Sequence, residues 1–429
     1  MSTSTAAEDF YPPIEGVEEL GKYRPGGLLP VRINDTFDRG RYRVLHKLGY
    51  GASSTIWLAR DQSANRSRLV SLKIHSADTS SAADAVEPAV SAHLEQFSKS
   101  TGHPGAGFCR MIRGRFMHKA LSGDSHLCQV SELAGPDLGT LTSWGPSGSG
   151  PRRLRADVAR TVAKQVALAV DCMHDAGIVH GDITPSNILF RIPPAQSWTD
   201  DEVRIVLGPC ETWTEDTPLG PIEVTETIDV QRFSNLNIMQ PDILLSDFGQ
   251  SFVATRKPAG YRAATQIKFM APEAYFDGDA SFASDVWALG CVLFHIRAGF
   301  SPFDGWFDHP DATFEQMVRT LGRLPDPWWA AWDARRALFD EDGRPLAKPG
   351  AANVPAQTHS LRELAYQIGR QDEPSDDFHH SMLEEPGTPL NEKEISLLQD
   401  LLTKMLRYHP EERITLKEVV AHPWFDVER

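Results

Sequence analysis

"IVHGDITPSNILF", residues 178 to 190, is the stretch on which the reading of this chain turns. It follows a run, 154 to 176, in which Val158, Val162, Val166 and Val170 recur at helical spacing. Asp182 and Asn187 therefore stand five apart in a tight loop just after a long helix. A carboxylate in such a loop can orient a hydroxyl nucleophile, and an amide oxygen five residues on can ligate a hard cation such as Mg²⁺. Further along, "LLSDFG" (244 to 249) supplies Asp247, a second oxygen donor at the end of a strand. Taken alone, "SDFG" also reads as an ordinary turn.

Upstream of the loop the pattern is strand-like. "RYRVLHKLG", "STIWLAR" and "LVSLKI" are short β-rich runs, and "SHLCQVSEL" is another. "LGYGASSTIW" joins the first two and sets Gly49, Tyr50, Gly51, Ala52, Ser53 and Ser54 in the turn. Glycines there let a backbone approach phosphate oxygens without a Cβ in the way, although a hairpin turn needing positive φ calls for the same residues. Lys73 sits in the apolar run "VSLKI" and needs an anionic partner if buried. Glu87 is the best candidate, on a helix expected over 81 to 99 with Val86, Val90, Leu94 and Phe97 at helical spacing. Pro88 beside it suggests the first turn of that helix.

The rest of the chain sorts around these runs. Residues 1 to 38 are rich in Pro, Gly and acidic residues and read as an extended segment. A β-rich part, 39 to 134, precedes a helical part, 135 to 426, which suggests an α+β, two-lobed architecture. "SWGPSGSGP" (143 to 151) reads as a loop. Residues 191 to 241, acidic and proline-containing with a weak apolar pattern, read as a partly mobile insertion within the helical part.

Composition excludes several classes. Hydrophobic residues make up 41% and charged residues 24% of the 429, as expected of packed cores. The net charge of −15 argues against direct nucleic-acid binding, which leaves a basic footprint. The N-terminal "MSTSTAAEDFYPP" lacks the basic start and apolar core of a signal peptide, and no run approaches the roughly 18 apolar residues of a membrane span. Five scattered cysteines form no CxxC pair, which fits a reducing compartment without a disulfide framework or zinc site.

Gly-x-Gly, a strand lysine, a helix glutamate, HxDxxxxN and DFG occur here in the order of the eukaryotic protein kinases, which the chain resembles over about residues 40 to 425. "MAPE" (270 to 273), "SDVWALGC" (284 to 291) and Arg413 in "HPEERITLKEVVAHPWF" extend the resemblance. The segment "YRPGGLLPVRINDTFDRGRYRVLHKLGYGASSTIWLARD", the "HPG" at 103 to 105 and an insertion before DFG are similar to SR-protein kinases, especially a divergent fungal group.

The resemblance implies a two-lobed kinase fold and Mg-ATP-dependent transfer to serine or threonine hydroxyls. Residues 49 to 54 would cover the ATP phosphates, Lys73 would hold the α and β phosphates, and Glu87 would hold Lys73. Asp182 would orient the substrate hydroxyl, while Asn187 and Asp247 would bind Mg²⁺. Glu132 and Ala134 would present hinge backbone to adenine, with Ser131 at the gatekeeper position. Glu273 would pair with Arg413, and Asp285 would brace the catalytic loop. A monomer is implied, cytoplasmic or nuclear, acting on basic or Arg/Ser-rich protein segments and not on membranes.

Three residues depart from the commoner kinase pattern. Gly181 replaces the arginine that pairs with a phosphorylated activation loop, which implies activity without such phosphorylation. Thr184 replaces a lysine that contacts the γ-phosphate, and losing one such donor can cost about 3 kcal/mol, so catalysis is expected to be slower but present. Ser131 is smaller than the usual gatekeeper. Two other readings use the same residues: a pseudokinase, motivated by Thr184 and Ser54, and a small-molecule phosphotransferase, which shares "HGD" but lacks the APE and SDVWALGC segments.

Overall fold

A computed structural model describes residues 11, 13–63, 68–143, 152–192, 197–228, 239–305, 309–346, 359–370, 372 and 381–427. The chain divides into two compact units. One comprises 1–92, 110–135 and 191–239, and the other comprises 93–109, 136–190 and 240–429.

The first unit is built on an antiparallel sheet. Its strands are β1 (Thr36–Phe37), β2 (Tyr42–Tyr50), β3 (Ser54–Asp61), β4 (Arg68–His75), β5 (Ile112–Lys119) and β6 (Ser125–Glu132), in the order β1-β2-β3-β4-β6-β5. Alternation drives one face into a core of Val44, Trp57, Ala59, Val70, Leu72, Ile74, Cys128 and Val130. The sequence reading found β2, β3, β4 and β6 within a residue or two and did not find β5.

A 25-residue helix, α1, runs from Ala77 to Thr101. Pro88 lies inside it rather than in the first turn, which corrects the reading from proline position. The apolar run continues on both sides of Pro88, and Val90 and Leu94 are buried below it, so packing outweighs the one backbone hydrogen bond that proline forfeits.

Two segments depart from expectation. In the N-terminal segment, Val17, Leu20, Tyr23 and Leu28 form a buried apolar cluster with Ile222 and Val224. The insertion supplies those partners. Its described residues form a capped helix, Asp200–Leu207, and an antiparallel hairpin, Thr212–Thr217 with Gly220–Thr225. Residues 191–239 therefore group with the β-rich unit, not with the helical part to which the sequence reading assigned them. Of the loop expected at 143 to 151, only Ser143 lies within the described residues, and 193–196 and 229–238 of the insertion lie outside them.

A buried ion pair fastens the hairpin. The Lys47 ammonium is 1% exposed and donates to the Glu18 carboxylate and to the Thr225 carbonyl at 2.9 Å, between the rings of Trp57 and Tyr50. The Tyr23 hydroxyl donates to the other Glu18 oxygen. Asp200, at the start of the insertion helix, accepts from Arg60 at 2.8 Å and from Arg43 at 2.5 Å.

The second unit is mainly helical. Ala156–Asp175 carries the valine stripe read from the sequence, and Val158, Val162, Val166 and Val170 are all buried. Phe282–Ala298 is apolar on nearly every side and is correspondingly buried. Two short strand pairs, Ile188–Phe190 with Ile243–Leu245 and Ile178–Val179 with Phe252–Val253, position the loops that carry Asp182 and Asp247. The Arg413 guanidinium grips both oxygens of Glu273, at 2.5 and 2.8 Å, with both side chains at most 3% exposed. Among the described residues no helix is long and apolar enough to cross a membrane.

Candidate active site

In the first unit, Lys73 projects from β4 and its ammonium lies 2.8 Å from the Glu87 carboxylate of α1. The glutamate side chain is 8% exposed and the lysine side chain 23%. A buried carboxylate would be costly without that cation, which is why the helix presents Glu87 above Val90 and Leu94.

The glycine turn sharpens one choice left open by the sequence. Neither Gly49 nor Gly51 has positive φ, so turn geometry does not require glycine at either. A Cβ built on Gly49 meets nothing within 4 Å, and one on Gly51 meets only the Ser54 hydroxyl at 3.5 Å. The strip of backbone from Gly49 through Tyr50 to Gly51 is open on that side, as a surface approached by a bulky anion needs to be. Ala52 and Ser53 complete the turn, and Ser54 begins β3 with its side chain buried.

Ser131 lies on β6 opposite Ser71 of β4 on one side and Ile112 of β5 on the other. Glu132 follows at the strand end, its carboxylate held by Arg191 at 2.8 Å and by Arg113. Its carbonyl accepts from Arg110 at 3.0 Å. Ala134 is buried two residues on.

In the second unit the loop read from "IVHGDITPSNILF" is fixed from several sides. Asp285, 1% exposed, accepts the backbone N–H of His180 at 2.8 Å and of Gly181 at 3.0 Å, and also the His174 ring at 2.9 Å. Three donors on one carboxylate offset its burial. The Asn187 amide nitrogen donates to the Asp182 carbonyl at 2.8 Å and to its carboxylate at 3.0 Å. Both bonds use the nitrogen, which orients the amide oxygen away from Asp182. Burial pushes the Asp182 carboxyl above the ordinary range, opposed by His180 and Asn187 and reinforced by the neighbouring charge of Asp247.

Asp247 has the left-handed backbone, φ 64°, that non-glycine residues rarely adopt, and its exposed carboxylate accepts from the Gly249 N–H at 3.3 Å. Such strain is held by surroundings that over-determine it. Here Phe248, 2% exposed, packs edge-on against His180. An amide oxygen and a carboxylate are hard donors, so Asn187 and Asp247 fit Mg²⁺ rather than a softer metal. Thr184 is 4% exposed and its carbonyl accepts from the Asn187 N–H at 3.1 Å.

The sequence reading missed Thr265 and Tyr261. The Thr265 hydroxyl donates to the Gly181 carbonyl at 2.8 Å and also approaches the Asp182 carboxylate. Tyr261 faces Gly181 directly. Neither belongs to a motif that the reading used, and both lie some 80 residues from the loop they touch.

Residues 232–425 match the protein kinase domain family. The chain is 26% identical to a serine/threonine-protein kinase SRPK of Physarum polycephalum over 96% of this chain and 91% of the relative. A serine/threonine protein kinase of Aspergillus fumigatus is 27% identical over 95% and 90%. The human dual specificity protein kinase CLK1 is 27% identical over 90% of this chain and 66% of that protein. The domain match and relatives that follow the chain nearly end to end support an SRPK-like serine/threonine protein kinase.

Proposed function

We propose that this kinase transfers the γ-phosphate of ATP to serine or threonine hydroxyls in Arg/Ser-rich or otherwise basic protein segments. The β-rich unit serves as the nucleotide lobe of a two-lobed kinase fold and the helical unit as the substrate lobe. The observation that carries the reading is Lys73, a strand lysine whose ammonium is held 2.8 Å from the buried Glu87 carboxylate. Such a preset cation stabilises phosphate charge without reorganising.

Each residue has a chemical task. Lys73 neutralises the α and β phosphates, and the backbone at Gly49 and Gly51, which carry no side chain, approaches the phosphate oxygens. The backbone of Glu132 and Ala134 meets adenine. Asp182 accepts a hydrogen bond from the substrate hydroxyl, aligning it for attack, and its raised pKa reflects a site shielded from water. Asn187 and Asp247 hold Mg²⁺, which when bound neutralises phosphate charge. Catalysis is then mainly positioning and charge compensation. Cytoplasmic or nuclear residence and action as a monomer accompany this reading.

The Arg/Ser preference rests on similarity to the SRPK relative, and the net charge of −15 is compatible with it. It is tested by comparing kcat/KM for an Arg-Ser repeat peptide with the matched Lys-Ser repeat. Preference for the arginine peptide is expected, because a planar guanidinium pairs with carboxylates in a way that an ammonium does not. Equal use of both leaves only a general basic preference.

The paired serines at 71 and 131 give a second expectation. ATP analogues carrying a benzyl-sized N6 substituent should compete with ATP, and Ser131→Phe should abolish that competition while leaving ATP use within about threefold. Failure of the analogues to compete with wild type would remove Ser131 from the adenine site.

A further inference from the structure

Gly181 stands where many protein kinases carry an arginine, and its surroundings show what takes that place. The residue has φ 78°. Its N–H is taken by Asp285 and its carbonyl by Thr265. A Cβ built on it would lie 2.5 Å from the Tyr261 phenol oxygen and 2.8 Å from the Gln250 carbonyl oxygen. The phenol therefore occupies the space in which any side chain at 181 would begin.

Tyr261 is itself fixed. Its hydroxyl donates to the Gln250 carbonyl at 3.0 Å. Its ring packs on Phe252 at 4.8 Å and joins the cluster of Val179, Phe252 and Ala280. Burial and the nearby Asp285 and Asp182 carboxylates push the phenol well above its ordinary pKa, so it remains an O–H donor at working pH. Lys257, beneath the ring at 5.9 Å, is tied to the Gly278 carbonyl and to Asp279, both at 3.0 Å.

We propose that Tyr261 is a positioning residue that clasps the segment after DFG onto Gly181, fixing Asp182 without a phosphate on that segment. In this chain the Tyr261–Gly181 contact does the work of an arginine paired with a phosphorylated residue. The phenol at 261 joins the left-handed φ and the Gln250 carbonyl in excluding a side chain at 181. The proposal rests on the catalytic reading of Asp182.

The test is a double-mutant cycle on the phosphatase-treated enzyme, with kcat and KM measured for ATP and peptide and with Asp182→Ala alongside. Tyr261→Ala should lower kcat about 10²-fold, the order expected from misplacing a catalytic group by about an ångström. KM for ATP should stay within about twofold. Tyr261→Phe, which keeps the ring and loses one hydrogen bond, should recover activity to within about tenfold of wild type. Gly181→Ala is strained in either background by φ 78° and the Gln250 carbonyl, but it should lower kcat at least about threefold less when Tyr261 is already alanine, because the phenol's share of the clash is gone.

General destabilisation would not produce that coupling. Independent effects of the two substitutions, or a Tyr261→Phe and Tyr261→Ala pair with wild-type kcat beside an inactive Asp182→Ala, overturn the clasp alone. Loss of wild-type activity on phosphatase treatment also overturns it. An active Asp182→Ala overturns the catalytic reading, and the clasp with it.

Discussion

Asp182→Ala is expected to lower kcat about 10²- to 10⁴-fold, the range found when a positioned base is removed, with little change in ATP affinity. The carboxylate lies at the end of a chain of restraints. Asp285 holds the backbone of His180 and Gly181, Thr265 holds the Gly181 carbonyl, and Asn187 bonds both the carbonyl and the carboxylate of Asp182. Asp182→Asn should be nearly as damaging, because it keeps the size and loses the acceptor charge. Isothermal titration with ATP and Mg²⁺ separates the effects: binding retained with turnover lost is the expected pattern. A mutant that keeps more than a tenth of wild-type kcat would mean that another group orients the nucleophile.

The second large effect concerns stability. Lys47→Met leaves the Glu18 carboxylate buried at 2% exposure with, among the described residues, the Tyr23 hydroxyl as its remaining side-chain donor. Breaking one side of a buried pair costs about 3–5 kcal/mol, a large share of a domain's net stability. The Thr225 carbonyl also loses its donor, so the hairpin should loosen from the N-terminal segment. The double variant Lys47→Met/Glu18→Leu should recover much of the loss, because an apolar pair needs no counter-charge. Urea denaturation of the three proteins checks this. A single variant as stable as wild type would show that the pair does not hold the hairpin.

The contrast between these two regions shows where the sequence was legible. Lys73, Glu87, Asp182, Asn187 and Asp247 announce themselves because their types recur in a fixed order. The valine stripe of 156–175 reads directly as a buried helical face. Strand β5 escaped because its inward positions are Ile112, Gly114, Phe116 and His118, only two of them strongly apolar, while Met117 faces out at 53% exposure. The N-terminal segment looked extended because Val17, Leu20, Tyr23 and Leu28 bury against Ile222 and Val224, about 200 residues away. Local periodicity carries no trace of such a partner. The weak apolar pattern of the insertion has the same cause: a two-stranded hairpin needs only one buried face, and Ile222 and Val224 supply most of it.

The departures at Gly181 and Ser131 were visible as unusual residues, but their environments were not. That Gly181 faces a phenol, or that Ser131 faces Ser71 across the sheet, follows only from tertiary structure. Pro88 shows the reverse case, in which a local rule gave the wrong position because packing along α1 overrides the lost hydrogen bond.

The most direct measurement is transfer of labelled γ-phosphate from ATP, with Mg²⁺, by the purified wild-type chain onto an Arg-Ser repeat peptide and onto a generic basic protein, with Asp182→Ala as control. The account predicts label on serine that disappears in the mutant, with the repeat peptide preferred. ATP binding with no transfer above the mutant on either substrate would contradict it.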